Sequence, residues 1–351
     1  MKTLIIGDPH IKSTELPLHR EFRTALRATV EKENPTGIVI LGDVLHDHER
    51  IHCAPLNSAV NWIISLSTLA PVFVLVGNHD YVSNGQYLTN NHWMNCLKNR
   101  KNIQIVDDVI KADVGCIKNC LLVPYVPNGR FIEAIETKYC ETEYTKAAVV
   151  FCHQEFHNCR MGSIISSSPD KWKQEWPLVI SGHIHQRQFL RNQNIFYTGT
   201  PYQTSFGDTT EKSVVLLRND TSGTSNRINI SSITHIDLNL PRKLLLYCTL
   251  NGLSNFKVPV STRSNTTIKL SVDCSRDEYR EELKKKYVKE YVKTIQEKGI
   301  RIVVKQSRKT IAKKNKKLVE FYPHSGESFD TILNRLIAES NPNVQKEWKG
   351  L

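Results

Sequence analysis

Five short motifs hold the residues best suited to chemistry: Gly7-Asp8-Pro9-His10, Gly42-Asp43, Gly77-Asn78-His79-Asp80, His153-Gln154 and Gly182-His183-Ile184-His185. Carboxylate, imidazole and amide oxygen, with no thiolate, form a donor set for manganese, iron or zinc. Magnesium is less suited to so many imidazoles. Two such ions about 3.5–4 Å apart can hold both ends of an in-line phosphoryl displacement. One bridging carboxylate with several terminal ligands per ion needs about seven side chains. Asp8, His10, Asp43, Asn78, His153, His183 and His185 supply that set. A lone G-D-x-H arises by chance, and a lone buried histidine is usually only hydrogen-bonded. The ordered series of five is what points to a dinuclear site.

Each motif directly follows a short apolar run: Leu4–Ile6, Ile38–Leu41, Val72–Val76, Ala147–Phe151 and Leu178–Ile180. Runs of this kind read as buried strands. In open α/β sheets ligands bind beyond the carboxyl ends of strands, so five such loops can converge. Glycines before the ligands allow sharp turns and close approach. Leu18, Phe22, Ala25, Leu26 and Val30 recur at helical spacing, and a second helix is expected over Pro55 to Leu69. Further strands are expected at Ile195–Thr198, Ser213–Leu217 and Ile228–Asp237. The alternation marks an α/β fold.

Composition shifts near Asn239-Leu240-Pro241-Arg242, which places a domain boundary between 1–240 and 241–351. Beyond it we expect strands at Lys243–Thr249, Thr266–Val272 and Ile300–Lys305, a charged helix over Asp277–Lys298, and a closing helix over Ser328–Ser340. The formal charge of +12 lies wholly in this region: residues 241–351 hold 24 Lys+Arg against 12 Asp+Glu, whereas residues 1–240 balance at 23 and 23. Between Lys298 and Lys317 stand nine basic residues and no acidic one, among them Lys305, Arg308, Lys309, Lys313 and Lys314. Such a run is either a solvated edge kept basic against strand pairing or a surface for a polyanion such as DNA.

The apolar N-terminal run is too short for a signal-peptide core, and the stretch from Trp62 to Val76 is broken by Ser65, Ser67, Thr68 and Pro71. No membrane association is expected. Nine cysteines without a C-x-x-C pair read as reduced thiols of a cytoplasmic or nuclear protein. No G-x-x-x-x-G-K-[ST] phosphate loop occurs. His48, His52 and His157 read as bystanders near the ligands, and Trp172 and Trp176 as packing under a loop.

As a set, G-D-P-H, G-D, G-N-H-D, H-Q and G-H-I-H resemble the calcineurin-like metallophosphoesterase superfamily over roughly residues 1–218. The resemblance implies a four-layer α/β/β/α sandwich with a small C-terminal α/β capping domain. It also implies Asp8, His10, Asp43 and His185 on one metal, and Asp43, Asn78, His153 and His183 on a second. His79 would contact the phosphate and protonate the leaving oxygen, oriented by Asp80. The R-G-N-H-E and G-D-x-x-D-R-G motifs of the Ser/Thr protein phosphatases are not matched. Val76 stands where their arginine would be, and Asp80 where their glutamate would be. Gly42-Asp43-Val44-Leu45-His46 is instead similar to the G-D-x-x-H of the SbcD-like double-strand-break-repair nucleases, in which the residue matched by His46 helps place DNA. Tyr197-Thr198-Gly199-Thr200 is similar to that branch's Y-P-G-S, with Thr198 in place of proline. The same layout occurs in phage and large-DNA-virus phosphoesterases. The implied activity is hydrolysis of DNA phosphodiester bonds with two divalent ions, manganese first, by a homodimer working with an SbcC-like coiled-coil ATPase. A phosphomonoesterase, a protein-phosphatase-like hydrolase or a non-catalytic DNA-binding subunit would be the alternatives.

Overall fold

The computed structural model describes residues 2–48, 50–83, 85–218, 227–257, 266–297 and 301–304. Its first elements are β1 (Lys2–Ile6), α1 (Leu16–Glu33), β2 (Gly37–Ile40), α2 (Cys53–Ser67), β3 (Val72–Leu75) and β4 (Ile103–Val106). There follow β5 (Ile110–Val114), β6 (Ile117–Val123), α3 (Phe131–Glu136), α4 (Glu141–Tyr144), β7 (Val150–Cys152), β8 (Arg160–Met161) and β9 (Ile164–Ile165). Next are β10 (Val179–Ser181), β11 (Gln188–Leu190), β12 (Ile195–Tyr197), β13 (Val214–Arg218) and β14 (Ile233–Ile236). The last are β15 (Arg242–Thr249), β16 (Thr266–Asp273), α5 (Arg276–Glu282), α6 (Lys286–Glu297) and β17 (Arg301–Val304).

Two six-stranded sheets form the body, ordered β14-β13-β1-β2-β3-β4 and β11-β12-β10-β7-β6-β5. β1 to β4 run parallel, as do β6, β7, β10 and β12, while β13, β5 and β11 pair antiparallel with their neighbours. The period-2 alternation of a strand assigns the layers. Ile5, Val39 and Leu75 of the first sheet pack with Leu122, Phe151 and Ile180 of the second in one core between the sheets. Leu4, Ile6, Ile38 and Val74 face the other way, against Phe22 and Leu26 of α1 and Trp62 and Ile63 of α2. On the far side, Val150, Val179 and Tyr197 meet Phe131, Ile135 and Tyr144 of α3 and α4, with Trp172. The result is the expected four-layer α/β/β/α sandwich.

The helices obey simple rules. His19, Phe22, Leu26 and Val30 make the buried stripe of α1, and Asn34 ends it in the left-handed conformation with its N–H returned to the Val30 carbonyl. Truncating a buried aromatic such as Phe22 to alanine costs about 3–5 kcal/mol. Trp172 is 2% exposed, its indole N–H donating to the Pro177 carbonyl at 2.8 Å, so it packs as expected.

The chain divides into two compact units, one of Met1–Leu246, Lys257–Lys269 and Gly299–Arg301, the other of Tyr247–Phe256, Leu270–Lys298 and Ile302–Leu351. β15, β16 and β17 form a separate three-stranded sheet in that order. The charged helix expected over 277–298 is two helices, α5 and α6, broken around Leu283–Lys285 where no glycine or proline announces it. α5 opens with a capping box in which Ser275 and Glu278 satisfy each other's backbone N–H groups. Lys305, Arg308, Lys309, Lys313 and Lys314, and the closing helix expected over 328–340, lie outside the described residues. Among the described residues no helix is long and apolar enough to cross a membrane.

Candidate metal centre

The loops after β1, β2 and β3 in one sheet, and after β7 and β10 in the other, bring all seven expected ligands together. Two groups of donor atoms form, each spanning no more than 4.8 Å: Asp8 with His10 and His185, and Asp43 with His153 and His183. His10 Nε2 lies 2.8 Å from His185 Nε2, and His183 Nδ1 lies 3.2 Å from His153 Nε2. The Asn78 side-chain oxygen joins the second group, 2.9 Å from His183 Nδ1 and 3.1 Å from His153 Nε2. Asp43 touches both groups, with Oδ2 3.5 Å from His10 Nε2 and Oδ1 3.3 Å from His153 Nε2. A carboxylate so placed can bridge two cations.

The backbone is bent to make this possible. His10, Asp43 and His183 have φ of 44°, 47° and 72°, a region that non-glycine residues seldom enter and that costs of order 1–3 kcal/mol each. Three of the seven expected ligands therefore carry strain, sustained by the surrounding structure. Two glycines make room. A Cβ on Gly77 would stand 2.2 Å from Asp43 Oδ1, and one on Gly182 would stand 2.4 Å from Asp8 Oδ1.

Burial sets the protonation of the donors. It leaves His10 well below the usual histidine range, lowers His183, and holds His185 down to about 4. Three rings are thus neutral near pH 7, the form that ligates. Burial also opposes charge on Asp43, but His153, by its charge and hydrogen bond, and His10 pull it well below the carboxylate range. For His153 burial works against the charged form, yet Asp43 raises it to about 9. His153 Nδ1–H donates to the Leu41 carbonyl at 2.7 Å, which turns Nε2 toward the cluster. Asp8 is fully buried with no close hydrogen bond to its side chain, its nearest ion-pair partner is His153 Nδ1 at 3.8 Å, and burial, against the pull of His153, pushes it up to about 8. Ionised, such a carboxylate calls for more positive charge than one imidazole 3.8 Å away supplies. The donor set and this weakly compensated buried carboxylate both fit two divalent ions.

His79 lies on the more open side, with His46. The His46, His10 and His79 rings form a third group whose nitrogens lie within 4.8 Å. The His79 backbone N–H donates to Asp43 Oδ1 at 2.9 Å, and its Nδ1–H donates to the His46 carbonyl at 2.6 Å. Asp80 was expected to orient this ring, but its carboxylate accepts elsewhere: the Val44, Leu45 and Gly77 amides at 3.1–3.3 Å and the Trp93 indole at 2.9 Å. Asp80 thus clamps two ligand loops together. The ring itself is held by the His46 carbonyl.

Two residues were missed from sequence. His48, read as a bystander, stacks on His79 with centroids 4.1 Å apart. Glu155 Oε2 lies 3.9 Å from His183 Nε2, the ring nitrogen turned away from the cluster. His183 first, then Ser166 and Asn128, hold the Glu155 carboxyl down to about 2 against the opposing effect of burial. A carboxylate two residues past a predicted ligand was the available signal.

A family profile described as calcineurin-like phosphoesterase matches residues 1–187. The chain is 39% identical over 281 residues to "Putative phosphoesterase 078R" of Invertebrate iridescent virus 3, covering 80% of this chain and 78% of that one. To the similarly named 244L of Invertebrate iridescent virus 6 it is 43% identical over 221 residues, covering 62% and 75%. The crystal structure of a hypothetical protein from Thermus thermophilus aligns at a TM-score of 0.37 and 11% identity, covering 67% of this chain and 98% of that one. That last likeness is too remote to bear on function.

Proposed function

The chain belongs to the calcineurin-like phosphoesterase family, and from that premise we propose that it is a DNA nuclease of the SbcD-like branch. The observation that carries the proposal is His46. Its half-exposed imidazole stands with that of His79 on the open side of the candidate ligand groups, next to buried His10, where it can meet the part of a substrate beyond the scissile phosphate. A small monoester has little use for such a group. The basic excess of residues 241–351 supports the same reading, since a polyanion is attracted by it. In this proposal residues 241–351 form the capping domain, with Lys305, Arg308, Lys309, Lys313 and Lys314 contacting DNA phosphates. The viral origin of both relatives supports reading this chain as a viral member.

Asp8, His10, Asp43 and His185 would hold one divalent ion, and Asp43, Asn78, His153 and His183 the other, with manganese the native metal. When bound, such a pair supplies Lewis-acid stabilisation of the phosphoryl group and activation of water. The chain's own residues do the rest. His79 presents Nε2, because Nδ1–H is committed to the His46 carbonyl, and from that atom a proton passes to the leaving oxygen. The bond from the His79 amide to Asp43 Oδ1 ties the acid to the bridging ligand, so distance between them is fixed. Asp80 keeps the Asp43 and Asn78 loops in register.

The test is cleavage of labelled single- and double-stranded DNA in manganese, beside 4-nitrophenyl phosphate. His46→Ala should lower DNA cleavage at least tenfold more than monoester turnover, and His79→Ala should abolish cleavage. Turnover of the monoester alone by the unmodified protein would make the enzyme a phosphomonoesterase and overturn the proposal.

A further inference from the structure

Two cavities take their walls from the histidine clusters and have no lining residue in common. The first, of about 340 Å³, is lined by His183 and His185 together with Arg160, Met161 and Lys212. The second, of about 440 Å³, is lined by His46 and His48 together with Arg50 and Val82. Both volumes lie in the range that accepts a nucleoside-sized group.

Their linings are alike in one respect. Each contains an exposed arginine, and among the described residues neither Arg160 nor Arg50 has an acidic partner. The acids nearby differ in how they are held. Asp208 in the first cavity accepts from Thr204 and Ser205 and lies 3.9 Å from Lys212. Asp47 in the second is half-buried beside three imidazoles. The first cavity is edged by the β8–β9 hairpin, where Met161, Ile164 and Ile165 are 37%, 63% and 55% exposed. Apolar side chains left in water beside an arginine can pack on the face of a base next to a phosphate.

A phosphate monoester carries one organic arm and a diester carries two. With the scissile phosphate at the metal ligands, the arms of a diester need two separate spaces. We propose that the two cavities receive the nucleosides on either side of the cut, and that Arg160 and Arg50 pair with the next phosphate along the strand in each direction. The preferred substrate class is then a nucleic-acid strand with phosphates flanking the scissile one. This rests on the nuclease reading and adds which residues read the flanks.

The experiment compares a dinucleotide bearing both terminal phosphates, pNpNp, with the bare dinucleoside monophosphate NpN and with bis(4-nitrophenyl) phosphate. A charge-assisted hydrogen bond to phosphate corresponds to roughly tenfold or more in kcat/KM. Wild-type protein, with one such contact on each side, should favour pNpNp over NpN by roughly a hundredfold. Arg160→Gln and Arg50→Gln should each remove about tenfold of the preference, seen mainly in KM, with manganese content unchanged. Equal loss on pNpNp and NpN would overturn the assignment, because the arginines would then act on the shared centre. So would no loss at all. Equal wild-type rates on pNpNp and NpN would overturn it while leaving the nuclease reading standing. Hydrolysis of monoesters alone would overturn both.

Discussion

Gly77→Ala places one methyl group where the structure has no space for it. The added Cβ would stand 2.2 Å from Asp43 Oδ1 and 2.4 Å from the Asp43 backbone nitrogen, whereas ordinary contact begins at 3.4 Å. The carboxylate must therefore retreat by about 1 Å or more, since the backbone nitrogen is no freer to yield. Gly77 does not need a left-handed backbone, so alanine is conformationally acceptable and the contact alone produces the effect. Asp43 faces both candidate ligand groups and receives the His79 amide, so its displacement should disturb both proposed metal sites and the proposed acid together. A misplacement near 1 Å costs on the order of 10²-fold in rate, and crowding of a packed interior about 1–3 kcal/mol of stability. The assay is manganese titration by calorimetry, with turnover of bis(4-nitrophenyl) phosphate and thermal unfolding in EDTA. Gly85→Ala is the control, because a Cβ there meets nothing within 4 Å. Wild-type metal affinity in Gly77→Ala, with activity within threefold of wild type, would refute the reasoning.

Two further outcomes follow from other contacts. Glu155→Ala should weaken manganese binding about 10–100-fold if the carboxylate, 3.9 Å from the outer nitrogen of His183, acts as its outer partner; calorimetry showing unchanged affinity would remove Glu155 from the metal centre. His19 is 1% exposed, and burial, then Arg23, lowers it from 6.5 to about 3. Its folded value lies below its unfolded value, so the unfolded chain takes up the proton first and stability is lost as pH falls through 6.5. The loss at pH 5.5 relative to pH 8 is about 1.4 kcal/mol, and His19→Gln should flatten the urea-unfolding difference between those pH values by that amount.

Much of the architecture was legible because burial on both faces writes continuous apolar runs into a strand. β1, β2, β3, β7 and β10 each announced themselves this way, and a ligand motif followed every one. β5 and β6 did not. Ile110–Val114 pairs at the sheet edge with lysine and aspartate in the strand, and Ile117–Val123 begins with exposed Lys118 and Asn119. Exposure, at the sheet edge for β5 and near the start of the strand for β6, removes the apolar signal without removing the strand. The side chains that gather in the two donor groups were readable because metal chemistry restricts the types that could serve there. The left-handed backbone at His10, Asp43 and His183 was not, since residues that adopt it by preference are glycine and asparagine. The roles of Asp80 and Glu155 depend on which loops meet across the sandwich, and spacing along the chain says little about that. The basic run after Lys298 was plain as composition, but composition does not assign a partner.

The most direct measurement is the metal stoichiometry of purified protein and of Asp43→Ala, by elemental analysis after dialysis against manganese. A carboxylate shared by two ligand groups predicts two ions per chain in the wild type and at most one in the variant, whose fold is checked by circular dichroism. Two tightly held ions in Asp43→Ala, or a single ion in the wild type, would contradict a dinuclear centre bridged by Asp43.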